Sequence, residues 1–177
     1  MRERSTEVSS RRLAGLYVGS CAAFLLGVRH LWPLLGVALL INPTPSEPRG
    51  IYRVVPRSQY VRGMLVVLPV PANVAKLVTD RGWLPPGVPL IKGVGAVAGD
   101  WVCISEEAVT VNGETVGPVY ERDSAGRDLP AIRGCERVQD GEFWPLSSYA
   151  KKSFDGRYMG AQPLSAIVGE AVPVWTR

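Results

Sequence analysis

Hydrophobic and polar positions divide the chain into two unlike parts. Residues 13–41 are apolar apart from Arg29 and His30, and they follow a segment that sets Arg2, Arg4, Arg11 and Arg12 against Glu3 and Glu7. A long apolar run behind a basic flank predicts a membrane helix with its amino terminus inside, because cytoplasmic flanks are rich in Lys and Arg. The uninterrupted part, 13–28, is shorter than the ~20 residues of a perpendicular span. Arg29 can snorkel, however, and Leu31 and Trp32 can extend the helix to the interface. Pro33 permits a kink, after which 34–41 either continue the span or lie along the bilayer. A cleavable signal peptide is the competing reading, but no Ala-x-Ala site follows the first apolar block, and Ala22-Ala23 falls inside it. A buried core helix fits neither the length of the run nor its basic flank. The expected organisation is a cytoplasmic segment 1–12, a membrane anchor 13–41 and an exported domain 42–177.

From residue 42 onward the pattern changes to short β-type runs separated by turn residues. Strands are expected over 50–55 and 63–70, ended by Pro69 and Pro71, and a short helix over 74–81 capped by Asn73, with Val74, Leu77 and Val78 on one face. Further strands are expected from Leu90, over 101–104, and over 109–111 and 115–120 around Asn112-Gly113, a hairpin signal. Weaker candidates are 131–137 and 142–145, and an apolar strand over 166–175 closes the chain. Between the two parts lies the stretch 42–52. There Pro43, Pro45 and Pro48 fix their own φ and push Asn42, Thr44 and Glu47 toward extended conformation, so a stiff loop is expected.

Composition agrees with this division. Hydrophobic residues make up 46% of the 177, and the mean hydropathy of +0.09 is high for a wholly soluble protein. Fifteen Pro and nineteen Gly argue against a helical bundle and for a β-rich body with many turns. The net charge of +4 is spread without a basic block, so nucleic-acid binding has no support. No Cys-x-x-Cys spacing marks a metal or redox site. Cys21 lies in the apolar run, which leaves Cys103 and Cys135 either as a disulfide, if the domain faces an oxidising compartment, or as two reduced buried thiols. His30 is the sole histidine and sits beside the expected membrane, which removes Ser-His, Cys-His and His-metal chemistry.

Candidate chemistry is confined to a few positions. Ser46 stands in the proline loop, where the plain alternative is a linker. Lys92 stands in an apolar, glycine-flanked strand. It is either an exposed lysine on a sheet edge or a buried one whose pKa falls far enough to act as a general base. Ser153, Asp155 and Arg157 cluster near the end of the chain. A serine needs a base to become a nucleophile, and a neutral lysine can take the hydroxyl proton and return it to the leaving amine. Ser153 can orient that amine, and Asp155 with Arg157 can form a charge-assisted pair. The Ser46 N–H and the Thr44 hydroxyl are candidate oxyanion donors.

In order along the chain stand an apolar anchor, Thr44-Pro-Ser46-Glu-Pro-Arg-Gly50, Lys92 with Gly99-Asp100-Trp-Val102, and Ser153-Phe-Asp155-Gly-Arg157-Tyr-Met-Gly160. Over residues 42–175 this order resembles the Ser/Lys signal peptidases, and within them the conjugative-transfer enzymes of the TraF type. The resemblance implies a mainly β fold: a signal-peptidase-like coiled β-sheet catalytic domain in the periplasm, behind an N-terminal transmembrane helix in the bacterial inner membrane. It implies Ser46 as nucleophile, Lys92 as base, Ser153 as orienting residue, Thr44 at the oxyanion hole, and Asp155 and Arg157 as structural support, with no metal or cofactor. Three departures stand out: Glu47-Pro48 after the serine instead of Met-Pro, no Arg beside Lys92, and Gly156 instead of a small hydroxyl residue. With the short body and the Cys103/Cys135 pair, they point to the transfer-specific branch. There the implied substrate is a propilin, cut and in some members cyclised, with conjugation (type IV secretion) components as partners. The rivals are a housekeeping signal peptidase acting on many preproteins and a catalytically silent envelope assembly module.

Overall fold

The computed structural model describes residues 38–130 and 132–177. The basic N-terminus and the anchor expected over 13–37 lie outside the described residues, as do Cys21 and His30. Residues Leu39–Arg177 form one compact unit.

Among the described residues, eleven strands build two sheets. They are β1 (Ala38–Asn42), β2 (Gly50–Val55), β3 (Leu65–Leu68), β4 (Leu90–Val97), β5 (Trp101–Ile104), β6 (Ala108–Val111), β7 (Glu114–Pro118), β8 (Gly134–Arg137), β9 (Glu142–Pro145), β10 (Gln162–Pro163) and β11 (Gly169–Thr176). The larger sheet runs β1-β2-β11-β3-β4-β9-β10 and the smaller β7-β6-β5-β8. Beside them, the described residues form two α-helices, α1 (Ala72–Asp80) and α2 (Gly156–Met159), and a 3-10 turn over Leu164–Ala166.

Several expectations are corrected. Residues 38–41, read as the end of the apolar segment, form β1 and pair with β2. Apolar content alone does not separate a strand from the end of a span. β3 occupies only the centre of the run 63–70, because Arg62 and Gly63 make a turn closed by Met64 N–H on the Val61 carbonyl, and Pro69 cannot continue a ladder. Asn73 does not cap α1. Pro71 holds the N-cap position without a side-chain bond, and the Asn73 Nδ2 donates instead to the Met159 carbonyl at 3.2 Å. In the Asp155-Gly-Arg-Tyr-Met segment, four residues form α2, a turn too short to carry a periodicity signal. Asn112-Gly113 joins β6 to β7 as expected.

β4 is the strand on which the core depends. It lies between β3 and β9, and its residues Leu90, Lys92 and Val94 share one face by the two-residue period, all buried. That face meets Val74 and Val78 of α1, four residues apart and therefore on one side of the helix. The opposite face places Ile91 with Tyr52, Val67 and Ala171. A third cluster, with Val102, Val109, Val111 and Trp144, fills the small sheet. Exposed apolar residues gather on two strands of the large sheet that both pair with β2: Leu39 and Ile41 on β1, Val174 and Trp175 on β11.

Candidate active site

The proline loop between β1 and β2 owes its shape to one side chain that the sequence reading passed over, Asn42. Its Oδ1 accepts from the Thr44 N–H (3.1 Å) and the Thr44 Oγ1–H (2.8 Å). Its Nδ2 donates to the carbonyls of Glu47 and Pro48, each at 3.1 Å. Asn before a turn commonly bonds the backbone two residues on, and this habit was the local signal available. Tyr52 Oη donates to the Pro48 carbonyl at 2.6 Å and closes the loop from the β2 side. The prolines restrict the backbone and Asn42 selects one conformer of it.

Ser46 is half-buried on this loop, its Oγ 3.2 Å from Thr44 Oγ1. An amide oxygen only accepts, so the Thr44 hydroxyl hydrogen is committed to Asn42 and the Ser46 hydroxyl donates to Thr44. Thr44 therefore touches the serine directly. Its use as an oxyanion donor requires its hydrogen to turn away from Asn42.

Lys92 is 2% exposed. Its place on an interior strand excludes the sheet-edge alternative. Nζ donates to Ser153 Oγ at 2.9 Å. Desolvation pushes its pKa below the usual lysine value, against the pull of the Asp155 and Glu47 carboxylates, which favour the ammonium. Gly93 follows because a Cβ there would lie 2.7 Å from the Leu146 carbonyl oxygen. The bare backbone lets Gly93 O accept from Leu146 N at 2.9 Å, which ties β4 to the segment after β9.

Asp155 and Arg157 are both fully buried and joined by two bonds, Nε to Oδ1 at 2.8 Å and Nη2 to Oδ2 at 2.7 Å. The three remaining guanidinium hydrogens go to the carbonyls of Pro118, Lys151 and Ser147, so all five donors are used. Asp155 also caps α2 through the Arg157 N–H and accepts from Ser147 N at 2.9 Å. Gly156 is explained by the same packing, since a Cβ there would run into the Trp144 indole.

Ser147, just after β9, connects these parts. Its N–H is held by Asp155, and its Oγ donates to the Ser46 carbonyl at 2.7 Å, across 101 residues of chain. No local pattern signals such a partner. Glu47 is the other residue whose part was not legible. It is 4% exposed, its Oε1 has no partner, and burial raises its pKa despite the opposing influence of Ser147 and Lys92.

Thr44, Ser46, Lys92 and Ser153 line one cavity of about 610 Å³. Ser46 and Lys92 are not hydrogen-bonded to each other. Among the described residues no cluster of His, Cys, Asp and Glu is arranged to hold a metal ion. Cys103 and Cys135 oppose each other on β5 and β8 and are bonded, with Cα atoms 4.0 Å apart. Every residue of β8 is exposed, so the disulfide fastens a strand that has little burial of its own.

Residues 14–176 match the family described as signal peptidase, peptidase S26. The chain is 32% identical to a probable conjugal transfer protein TraF of Sinorhizobium fredii, over 96% of this chain and 95% of that one. It is 37% identical to a conjugal transfer protein TraF of Agrobacterium fabrum, over 94% and 98%. A plasmid transfer protein TraF of Escherichia coli is 27% identical, over 97% and 99%. Among solved structures, a signal peptidase I of Enterococcus faecalis covers 64% of this chain and 97% of its own, at 17% identity and a TM-score of 0.38.

Proposed function

The chain belongs to the signal peptidase family, peptidase S26, in its TraF-type branch, and from that premise we propose a membrane-anchored serine endopeptidase that processes a propilin for conjugative transfer with a Ser46/Lys92 dyad. The observation that carries this reading is Lys92: a lysine on an interior strand, 2% exposed, bonded to Ser153 and lining the cavity that Ser46 also lines. A structural role offers no reason to bury an ammonium there, since an apolar residue would fill the position without the desolvation cost.

The chemistry needs one rearrangement. Ser46 Oγ–H turns from Thr44 toward neutral Lys92, which takes the proton as Oγ bonds to the substrate carbonyl carbon. The tetrahedral intermediate collapses, its C–N bond breaks, and the Lys92 ammonium returns the proton to the departing amine. An ester on Ser46 remains. Attack by water gives a linear product, while attack by the substrate's own amino terminus gives a ring. Ser153 keeps Nζ in place throughout. Asp155 and Arg157 hold Ser147, and through it the Ser46 carbonyl. The exposed Leu39, Ile41, Val174 and Trp175 suit a domain lying against the periplasmic face of the inner membrane, where a membrane-held substrate presents its cleavage site.

Ser46→Ala and Lys92→Met are the direct test. Each is expected to lower propilin processing by about 10⁴-fold or more, the scale on which nucleophile and base removals act, as followed by immunoblot in mating cells and by peptide turnover in detergent. Unchanged processing in both variants would sink the dyad. Mass spectrometry of the pilin tests cyclisation, because a closed ring lacks one water relative to the trimmed linear chain.

A further inference from the structure

The cavity that holds the dyad has a second character. Besides Ser46, Lys92 and Ser153 it is walled by Val78, Trp83, Leu84, Leu129, Phe154 and Tyr158, a surface that acyl transfer does not use. Its volume of about 610 Å³ lies inside the ~300–1,000 Å³ of sites that enclose most of a small ligand.

The aromatic part of this wall is fixed from behind. Trp83 and Phe154 lie 4.9 Å apart, tilted by 54°, and Phe154 stacks on Tyr158 at 5.4 Å. Phe154 also packs against both the α1 cluster and the small-sheet cluster. Tyr158 Oη accepts from the Tyr120 N–H at 3.0 Å, and the Arg81 guanidinium, anchored to Asp123 at 3.1 Å, lies 5.2 Å from the Trp83 ring. Rings held in this way present a preformed surface and lose little freedom when something binds. A methyl-sized side chain would leave much of that surface without contact and forfeit the dispersion it offers.

We propose that this aromatic wall is a substrate subsite for a bulky apolar side chain, aromatic or branched aliphatic, on the peptide segment that leads to the cleaved bond. The inference rests on the peptidase reading above and names the substrate class for it. Phe154 follows Ser153 directly, so the residue that orients Lys92 and the residue that forms the wall belong to one segment. Occupancy of the subsite thereby bears on the placement of the base.

The test uses the full-length enzyme in detergent micelles and a library of tryptic peptides from a bacterial lysate, with the new termini sequenced by mass spectrometry. One position near the cut is expected to be enriched in Leu, Ile or Phe. In a synthetic peptide from that set, replacing the enriched residue by Ala is expected to lower kcat/KM by about 10–200-fold, the range a hydrophobic pocket can discriminate. Phe154→Ala and Leu129→Trp, one opening the wall and the other filling the space, are both expected to reduce that ratio at least about tenfold. The ratio is internal to each preparation, so loss of folded protein leaves it unmoved. Cleavage with only small residues enriched, or a ratio that survives in both variants, overturns the subsite and leaves the dyad standing. Failure of the wild-type enzyme to cut any peptide overturns the peptidase reading and the subsite with it.

Discussion

The two sides of the candidate site are held by different physics. On the side of the proposed base, Lys92, Asp155 and Arg157 are almost wholly removed from water, and their positions follow from strand register and a fully satisfied ion pair. On the side of the proposed nucleophile, Ser46 and Thr44 are half-buried, and neutral hydrogen bonds of Asn42, Tyr52 and Ser147 place them. The contrast suits the chemistry. A base whose pKa must fall needs a dry and rigid place, while a hydroxyl that must turn from one partner to another needs a rotor with a low barrier.

The largest effect should come from breaking the base side at its charge pair. Arg157→Ala leaves the Asp155 carboxylate buried and unpaired, which costs about 3–5 kcal/mol and is measurable as a drop in the urea midpoint. If the loss proved close to that of a surface substitution, the ion pair would not be what holds this side.

Next is a control outside both sides. Cys103→Ser with Cys135→Ser removes the β5–β8 cross-link and is expected to cost roughly 2–4 kcal/mol while kcat/KM, measured well below the melting temperature, stays near wild type. A large fall in kcat/KM would mean that the small sheet takes part in the site.

A smaller stability cost, about 1–3 kcal/mol, is expected for Asn42→Ala, because the Thr44 N–H and two loop carbonyls lose their partner. Activity should fall further than stability suggests, by about 10²-fold, since displacement of a reacting group by ~1 Å has that effect. Asn42→Asp keeps the acceptor for Thr44 and loses both donors, so its activity separates the two halves of the Asn42 contact.

The subtlest change couples the two sides. The Glu47 carboxylate favours the Lys92 ammonium and so raises a pKa that burial lowers. With Lys92 as the proposed base, activity is expected to require its neutral form and to rise with pH through that lowered pKa. Removing the negative charge in Glu47→Gln removes an influence that favours the proton, so the rising limb should move to lower pH. A shift to higher pH, or none in kcat/KM, would separate Glu47 from the base.

How much of this was readable from residues alone differs between the two sides as well. Ser46, Lys92, Ser153, Asp155 and Arg157 stand out locally, by prolines, by a charge in an apolar strand, and by a dense polar motif. Two of the departures from the family pattern sit in packing that spacing does not reveal. Gly156 stands where the Trp144 indole leaves no room for a Cβ, and the carboxyl of Glu47 points into a buried environment with one oxygen unpartnered. Ser147 was invisible because its bond to the Ser46 carbonyl spans 101 residues of chain. The capping assigned to Asn73 failed because α1 begins earlier, at Ala72 with Pro71 as N-cap, which places Asn73 inside the first turn, where its amide donates to Met159.

What the chain determines by itself is local: which residues can be extended, which turn, and which are candidates for a nucleophile, a base and a charge pair, since backbone sterics and side-chain chemistry act over a few residues. What only the tertiary structure decided is whether Lys92 lies at an edge or inside, where the Ser46 and Thr44 hydrogens point, and which aromatic rings share the cavity. Each of those depends on strand order and packing between segments far apart in sequence, and a pKa or a pocket exists only after those segments have excluded water together.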